Sequence, residues 1–312
     1  PVTAAVAPTD AGPRTAAPAD APAAVHGDTA VVAPPSRCPA GMVYVEGGKF
    51  FMGTDADDPV LQTARPAHNV MVASFCIDID EVTLAQYREC SKTGDCKRAF
   101  RDSTWPQGSS EAADWKAAMA AHSELCNETV DDRNDHPVNC VDWAQAQFYC
   151  QRRGGDLPSE AQWEFAARGS DGRVYSWGDA VPTPTHMNGS GREYVAWRES
   201  KALPPHGVLY ESDDGFIGTA PVGRFTEGTT QYGLHDIAGN VFEWTLDEFR
   251  PYEDADKPAV PSKGPRKRVI RGGAFNSFQP QFADPALRFP QVEDAHNHGI
   301  GFRCAAVPKT PE

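Results

Sequence analysis

The sequence contains no run of 18 apolar residues, so nothing in it reads as a transmembrane helix. Positive charge is scarce as well. The 29 Lys+Arg stand against 43 Asp+Glu, and the net charge of −14 excludes a general affinity for nucleic-acid phosphates. No G-x-S-x-G, Walker loop or dinucleotide fingerprint occurs, which removes the most recognisable routes to serine hydrolysis, nucleotide hydrolysis and hydride transfer. No two cysteines have the C-x-x-C spacing of a structural zinc site. No aromatic residue falls in 1–37, where 12 Ala and 7 Pro bury too little apolar area to offset ordering entropy. That stretch is expected to be a flexible, partly extended linker, suited to tether the module that follows to an anchor or another domain.

What the sequence does hold is an even set of eight cysteines, from Cys38 to Cys304. Disulfides are the leading reading, and they imply an oxidising, extracytoplasmic compartment: periplasm, cell surface or medium. With 27 Gly and 27 Pro the folded part, 38–312, is expected to be rich in loops, and its 40% hydrophobic residues suffice for a core. Gly41–Gly53 reads as two short strands around Gly47-Gly48, and Val70 to Ile77 alternates as one strand. Helices are expected after Thr83, over 141–153, and from Ser159, where S-E-A-Q makes a capping box. Beyond Gly169 helical periodicity fades, and no internal repeat is visible.

A series of strings then carries a family resemblance. They run from G-M-V-Y-V-E-G-G-K-F-F-M-G (41–53) and I-D-E-V-T (79–83) to H-P-V-N-C-V-D-W (136–143) and L-P-S-E-A-Q-W-E-F-A-A-R (157–168). Y-S-W-G (175–178), G-T-A-P-V-G (218–223), Y-G-L-H-D-I-A-G-N-V-F-E-W (232–244), R-V-I-R-G-G (268–273) and G-F-R-C-A (301–305) complete it. In order and spacing, from about residue 39 to 307, the chain resembles the formylglycine-generating enzyme family, also called the sulfatase-modifying-factor domain. The resemblance implies an α+β, irregular C-type-lectin-like fold, low in regular structure and braced by disulfides and calcium.

Two calcium sites are implied by the resemblance. One combines Asn188, Gly189, Asp214 and Phe216; the other Asp236, Gly239, Val241 and Glu243, with Asp236 in place of the family's usual amide. Calcium takes about six to eight oxygen ligands, which short loops supply as carboxylates, amides and carbonyls. Asp236 and Glu243 capping turns or pairing with Arg271 is the other reading. The resemblance also implies a Cys150–Cys304 disulfide. Cys90 with Cys96 and Cys126 with Cys140 are close in sequence, Cys38 and Cys76 remain, and these pairings stay open.

The oxidases of the family carry two cysteines that bind copper and oxidise a substrate cysteine. Ser277 and Phe282 stand at those positions here, and no cysteine lies between Cys150 and Cys304. A hydroxyl is no soft thiolate ligand for Cu(I), so copper and formylglycine-generating oxidation are not expected. The related sulfoxide synthases hold iron largely through an added helical domain with an H-x-x-x-E pair, which residues 1–130 lack. His296 and His298, two apart, would share a metal on an extended strand, although surface histidines are the commoner outcome. Asp131–Asp135 reads as a solvated acidic loop, and His68 and His136 as satisfied structural histidines. Trp143, Trp163, Trp177 and Trp244 read as core, while Trp105, Trp115 and Trp197 are free to line a recognition surface.

The expected function is therefore a calcium-braced binding or structural module outside the cytoplasm, taking a protein, peptide or glycan through the loops 98–135, 190–215 and 274–298. The alternative is an enzyme with altered, metal-dependent oxidative or peptide-modifying chemistry around Asn276, Ser277 and Arg303.

Overall fold

The computed structural model describes residues 37–105, 115–254 and 264–310; the linker expected over 1–37 lies, but for Arg37, outside the described residues. Among the described residues, three small sheets and five α-helices make the fold. Strand β1 (Met42–Val45) pairs with β4 (Phe75–Asp78), which also pairs with β9 (Ala305–Ala306). Strands β2 (Gly48–Met52) and β3 (His68–Val72) form a two-stranded sheet. The third sheet runs β7 (Arg288–Val292), β6 (Lys267–Arg271), β5 (Phe242–Glu248), β8 (Ile300–Gly301), with β5 and β8 parallel.

The strand expected over 70–77 is in fact two. β3 ends at Val72, and β4 starts at Phe75 in a different sheet. Gly47 explains the break: its backbone N–H donates to Ser74 Oγ, and a Cβ there would fall 2.2 Å from the Val72 carbonyl oxygen. Only glycine allows the chain between β1 and β2 to cross so close to that corner.

Three helices follow the expected local chemistry. Helices α1 (Leu84–Lys92), α3 (Trp143–Arg152) and α4 (Glu160–Arg168) each open on a complete capping box: Thr83 with Gln86, Asp142 with Gln145, Ser159 with Gln162. Two further helices were not expected. In α2 (Trp115–Ser123) alanines blur the apolar face. Helix α5 (Arg192–Ser200) starts at Gly191 without a side-chain cap and buries only Tyr194. Both therefore lack the periodic signal on which sequence reading depends.

One core cluster gathers Trp244, Tyr87, Phe302 and Val138; a second gathers Trp163, Phe75, Phe165 and Ile237. Between strands and helices run buried ion pairs. Glu160 and Glu164, one turn apart on α4, meet Arg288 and Arg271, while Arg303 meets Glu243. Four disulfides close the frame, Cys38–Cys76, Cys90–Cys96, Cys126–Cys140 and Cys150–Cys304, and no described cysteine is free. None of the described helices is long and apolar enough to cross a membrane.

His136 is a satisfied structural histidine. Its Nδ1 accepts from Arg133 Nη1 at 3.1 Å and lies 3.0 Å from Thr219 Oγ1. Burial, then the charge of Arg133, pushes its pKa down to about 4. A folded-state value below the ordinary one gives stability that is full at neutral pH and lost as pH falls toward about 4. In His136→Gln the loss of stability between pH 7 and 4.5, measured by urea denaturation, should be smaller than in wild type by on the order of 1 kcal/mol, discounted for partial solvent screening. Equal slopes in the two proteins would refute a neutral His136.

Candidate functional site

The positions that carry redox cysteines in the oxidases form no such pair here. Ser277 is buried, and its Oγ accepts from the Ala274 N–H at 2.9 Å. Its carbonyl accepts from Ser190 N at 2.8 Å, so residue 277 ties the loop after β6 to the segment before α5. Phe282 packs between Phe278 and Phe289, with ring centroids 5.6 and 5.8 Å away. A hydroxyl that accepts a backbone hydrogen bond and a phenyl ring in an aromatic stack offer no metal ligand pair. The trio Asn276, Ser277 and Arg303 is not one site either, because Arg303 lies fully buried against Glu243.

Beside residue 277 opens a cavity of about 350 Å³, lined by Trp105 on one side and by His122 of α2, Tyr194 and Arg198 of α5, Asn276 and His298 on the others. Here the structure corrects the expectation for His296 and His298. The two lie in a loop and not on a strand, a turn starting at Asn297 with Ile300 N donating to its carbonyl, and the two rings pack against different neighbours. His296 stacks on Phe100 at 3.8 Å, whereas His298 is buried against His122 at 4.5 Å. Of the tryptophans outside the family strings, Trp105 lines the cavity, and Trp197 packs edge-on against His122 from behind.

The first expected calcium set comes together. Asp214 Oδ2 accepts from Gly189 N at 3.1 Å, and its Oδ1 accepts from Phe216 N at 3.0 Å. Asn188 is fully buried and donates to the Gly218 carbonyl, yet its Oδ1 has no partner. Two further carboxylates, missed in the sequence, join this set: Glu193 of α5 and Asp213 lie with Asp214 so that one oxygen of each is within 4.8 Å of the others. Both Glu193 oxygens are closed off from solvent and unpartnered. Burial, helped by the charges of Asp214 and Asp213, pushes the Glu193 carboxyl up to about 7. Three converging carboxylates are a hard-oxygen donor set of the kind calcium takes. The acidic doublet Asp213-Asp214 was the available sequence signal; Glu193 had none, since it sits on a helix that periodicity does not reveal.

The second set fits less well. Asp236 is buried, its Oδ2 accepts from Gly223 N at 2.6 Å, and its Oδ1 is unpartnered. Glu243, however, spends both carboxylate oxygens on Arg303 and on Trp163 Nε1. Val241 N donates to Glu81, and Gly239 N donates to the Gly272 carbonyl. Asp236, Glu243 and Glu81 gather around Arg303 as an acidic cluster. The cation paired with Glu243 is thus Arg303, not Arg271, which pairs with Glu164.

A disulfide-braced α+β domain with sparse, curled sheets and long loops over a buried-arginine core defines the C-type-lectin-like class. Within that class the chain belongs to the formylglycine-generating enzyme family: the Sulfatase-modifying factor enzyme 1-like domain matches residues 29–307. The formylglycine-generating enzyme of Bos taurus is 33% identical, the alignment covering 92% of this chain and 79% of that protein. The inactive C-alpha-formylglycine-generating enzyme 2 of Mus musculus is 30% identical, with 87% of each covered. Among solved structures, PvdO from Pseudomonas aeruginosa shares the fold with a TM-score of 0.60, at 24% identity over 85% of this chain and 93% of that one.

Proposed function

We propose that this protein is a binding member of the family without formylglycine-generating oxidase activity, braced by calcium and working outside the cytoplasm. One observation carries the reading. Every described cysteine is locked in a disulfide, and Ser277 and Phe282 occupy the positions where an oxidase needs thiols. The family includes relatives named as inactive, so a member without the oxidation has precedent. Four disulfides favour an oxidising compartment. The orphaned oxygens of Asn188 and Glu193 beside Asp214 support calcium at the first site. There these residues would hold the ion and tie α5 to the 213–216 turn, leaving the adjoining cavity rigid for a protein, peptide or glycan ligand.

Metal analysis and activity test this together. Purified protein should hold calcium but neither copper nor iron in stoichiometric amount, and it should leave a cysteine-containing sulfatase peptide unoxidised in the presence of copper and oxygen. Copper-dependent conversion of that peptide would refute the reading. Chelation should lower Tm by roughly 5–10 °C, given ~2.7 kcal/mol of linkage at a hundredfold excess of ion over Kd. Asp214→Asn and Glu193→Gln should each abolish most of that shift. A chelation effect that survives in both variants would place the ion elsewhere.

A further inference from the structure

The cavity beside residue 276 has an unusual balance of hydrogen-bonding groups. Its walls carry several donors that no acceptor of the protein takes up. Ser103 Oγ accepts from the His298 backbone N–H at 3.0 Å, and His298 Nδ1, at 2.9 Å, is the acceptor that lies within reach of its proton among the described residues. That fixes the neutral His298 ring with its proton on Nε2, which is buried and has no acceptor. His122 donates from Nδ1 to the Ala118 carbonyl at 2.7 Å, which leaves its Nε2 to accept from Arg198 Nη1 at 3.3 Å. Arg198 Nη2 donates to the Pro204 carbonyl, while its Nε–H is buried and unpartnered. Gln291 and Asn297 commit their side-chain oxygens to the backbone N–H groups of Val292 and Gly299, which turns their NH₂ groups outward as donors.

The charge balance is equally one-sided. Among the described residues Arg198 makes no ion pair; its partners are a histidine, a tyrosine hydroxyl and a carbonyl. Both histidines are held neutral, His122 with its pKa pushed down to about 4 by burial and His298 well below its ordinary value for the same reason. The cavity therefore carries one positive charge, several free donors and aromatic walls from Trp105 and Tyr194. A half-buried guanidinium whose closed-off Nε–H has no acceptor, and a buried imidazole N–H without one, are both costly when empty. One monoanion with two acceptor oxygens answers both.

We propose that this cavity binds a carboxylate, carried by a small aromatic acid or by the free C-terminus of a short peptide, with Arg198 Nε and His298 Nε2 as its donors. The proposal names the ligand chemistry of the binding module and rests on that reading. A carboxylate suits the site better than a phosphate dianion, because only one cation faces it and the chain carries a net charge of −14. The Arg198 contacts to His122 and Tyr194 are long, 3.3 and 3.5 Å, while Nη2 is held by the Pro204 carbonyl at 2.9 Å, which leaves Nε as its uncommitted donor.

The test is calorimetric titration of the calcium-loaded full chain with phenylacetate, phenylacetamide, phenyl phosphate, and a dipeptide with either a free or an amidated C-terminus. The acids should bind and their amides should bind at least about ten-fold more weakly. Whether phenylacetate or the free-acid dipeptide binds tighter identifies the source of the carboxylate. Arg198→Gln should erase the preference for acid over amide, and Arg198→Lys should restore only part of it. His298→Gln should weaken acid binding by about ten- to a hundred-fold. Unchanged chelation-dependent Tm in each variant shows that the fold and the calcium site are intact. Equal binding of acid and amide, tighter binding of phenyl phosphate, wild-type acid affinity in Arg198→Gln, or no binding by any of the five overturns the proposal. Copper-dependent peptide oxidation by the same preparation would instead overturn the binding reading, so the two failures are distinct.

Discussion

Arg303→Met should cost ~3–5 kcal/mol of folding free energy at neutral pH, the amount typical of removing one partner from a buried ion pair. Arg303 is fully buried and donates to both oxygens of Glu243, to the carbonyls of Asp78 and Ile79, and to that of His235. It is also the cation around which Glu81, Asp236 and Glu243 collect. Methionine would fill much of the volume but leave three buried acids facing one another and take one donor from each of three carbonyls. The loss should depend on pH in a definite direction. Burial already raises Glu81 well above its ordinary value and Asp236 to about 6, and losing the arginine charge raises both further. An acid whose folded-state pKa is raised is more easily tolerated as pH falls, so the deficit should be smaller at pH 5 than at pH 8. Urea denaturation at the two pH values measures both effects. Arg303→Met/Glu243→Leu should recover part of the loss, because it removes charge from both sides. A single-variant deficit below about 1 kcal/mol would show that Arg303 is not the hub of this cluster.

The Cys150–Cys304 disulfide should be the most stabilising of the four. It spans 154 residues, and closing a loop of that length in the unfolded chain is worth ~5 kcal/mol in the entropy model. Cys90–Cys96 spans 6 and is worth about half as much on the same basis. Cys150→Ala/Cys304→Ala should therefore lower Tm by roughly 10 °C, and Cys90→Ala/Cys96→Ala by clearly less. Calorimetric unfolding of the two double variants gives the comparison. If the short loop costs as much as the long one, native packing around the bridges, not chain entropy, sets their value.

Local chemistry made much of this fold legible in the sequence. Helices α1, α3 and α4 announce themselves through capping boxes whose donor and acceptor lie three residues apart. What was hidden depends on partners far along the chain. The break between β3 and β4 is decided by Gly47, 27 residues before Ser74. Glu164 finds Arg271 across 107 residues, and Glu243 finds Arg303 across 60, so the spacing within D-I-A-G-N-V-F-E carries no sign of the arginine that Glu243 meets. The alternation that would align His296 with His298 fails because they lie in a loop that leads into a turn, not on a strand. Helix α5 carries Glu193, Tyr194 and Arg198 into two candidate sites at once. With a glycine at its start and one buried residue, it gave no periodic signal.

The late position of residues 300–306 in the chain has a consequence for biogenesis. Ile300 and Gly301 pair with β5, Arg303 anchors the acidic cluster, Cys304 closes on α3, and Ala305 and Ala306 complete the sheet begun by β1 and β4. A nascent chain therefore leaves the first hydrophobic cluster, which needs Ile300, Phe302 and Cys304, incomplete until residues 300–306 emerge, which gives the domain a high contact order and a long window of vulnerability. Its maturation should lean on holding chaperones and disulfide catalysts far more than a domain of equal size built from local hairpins.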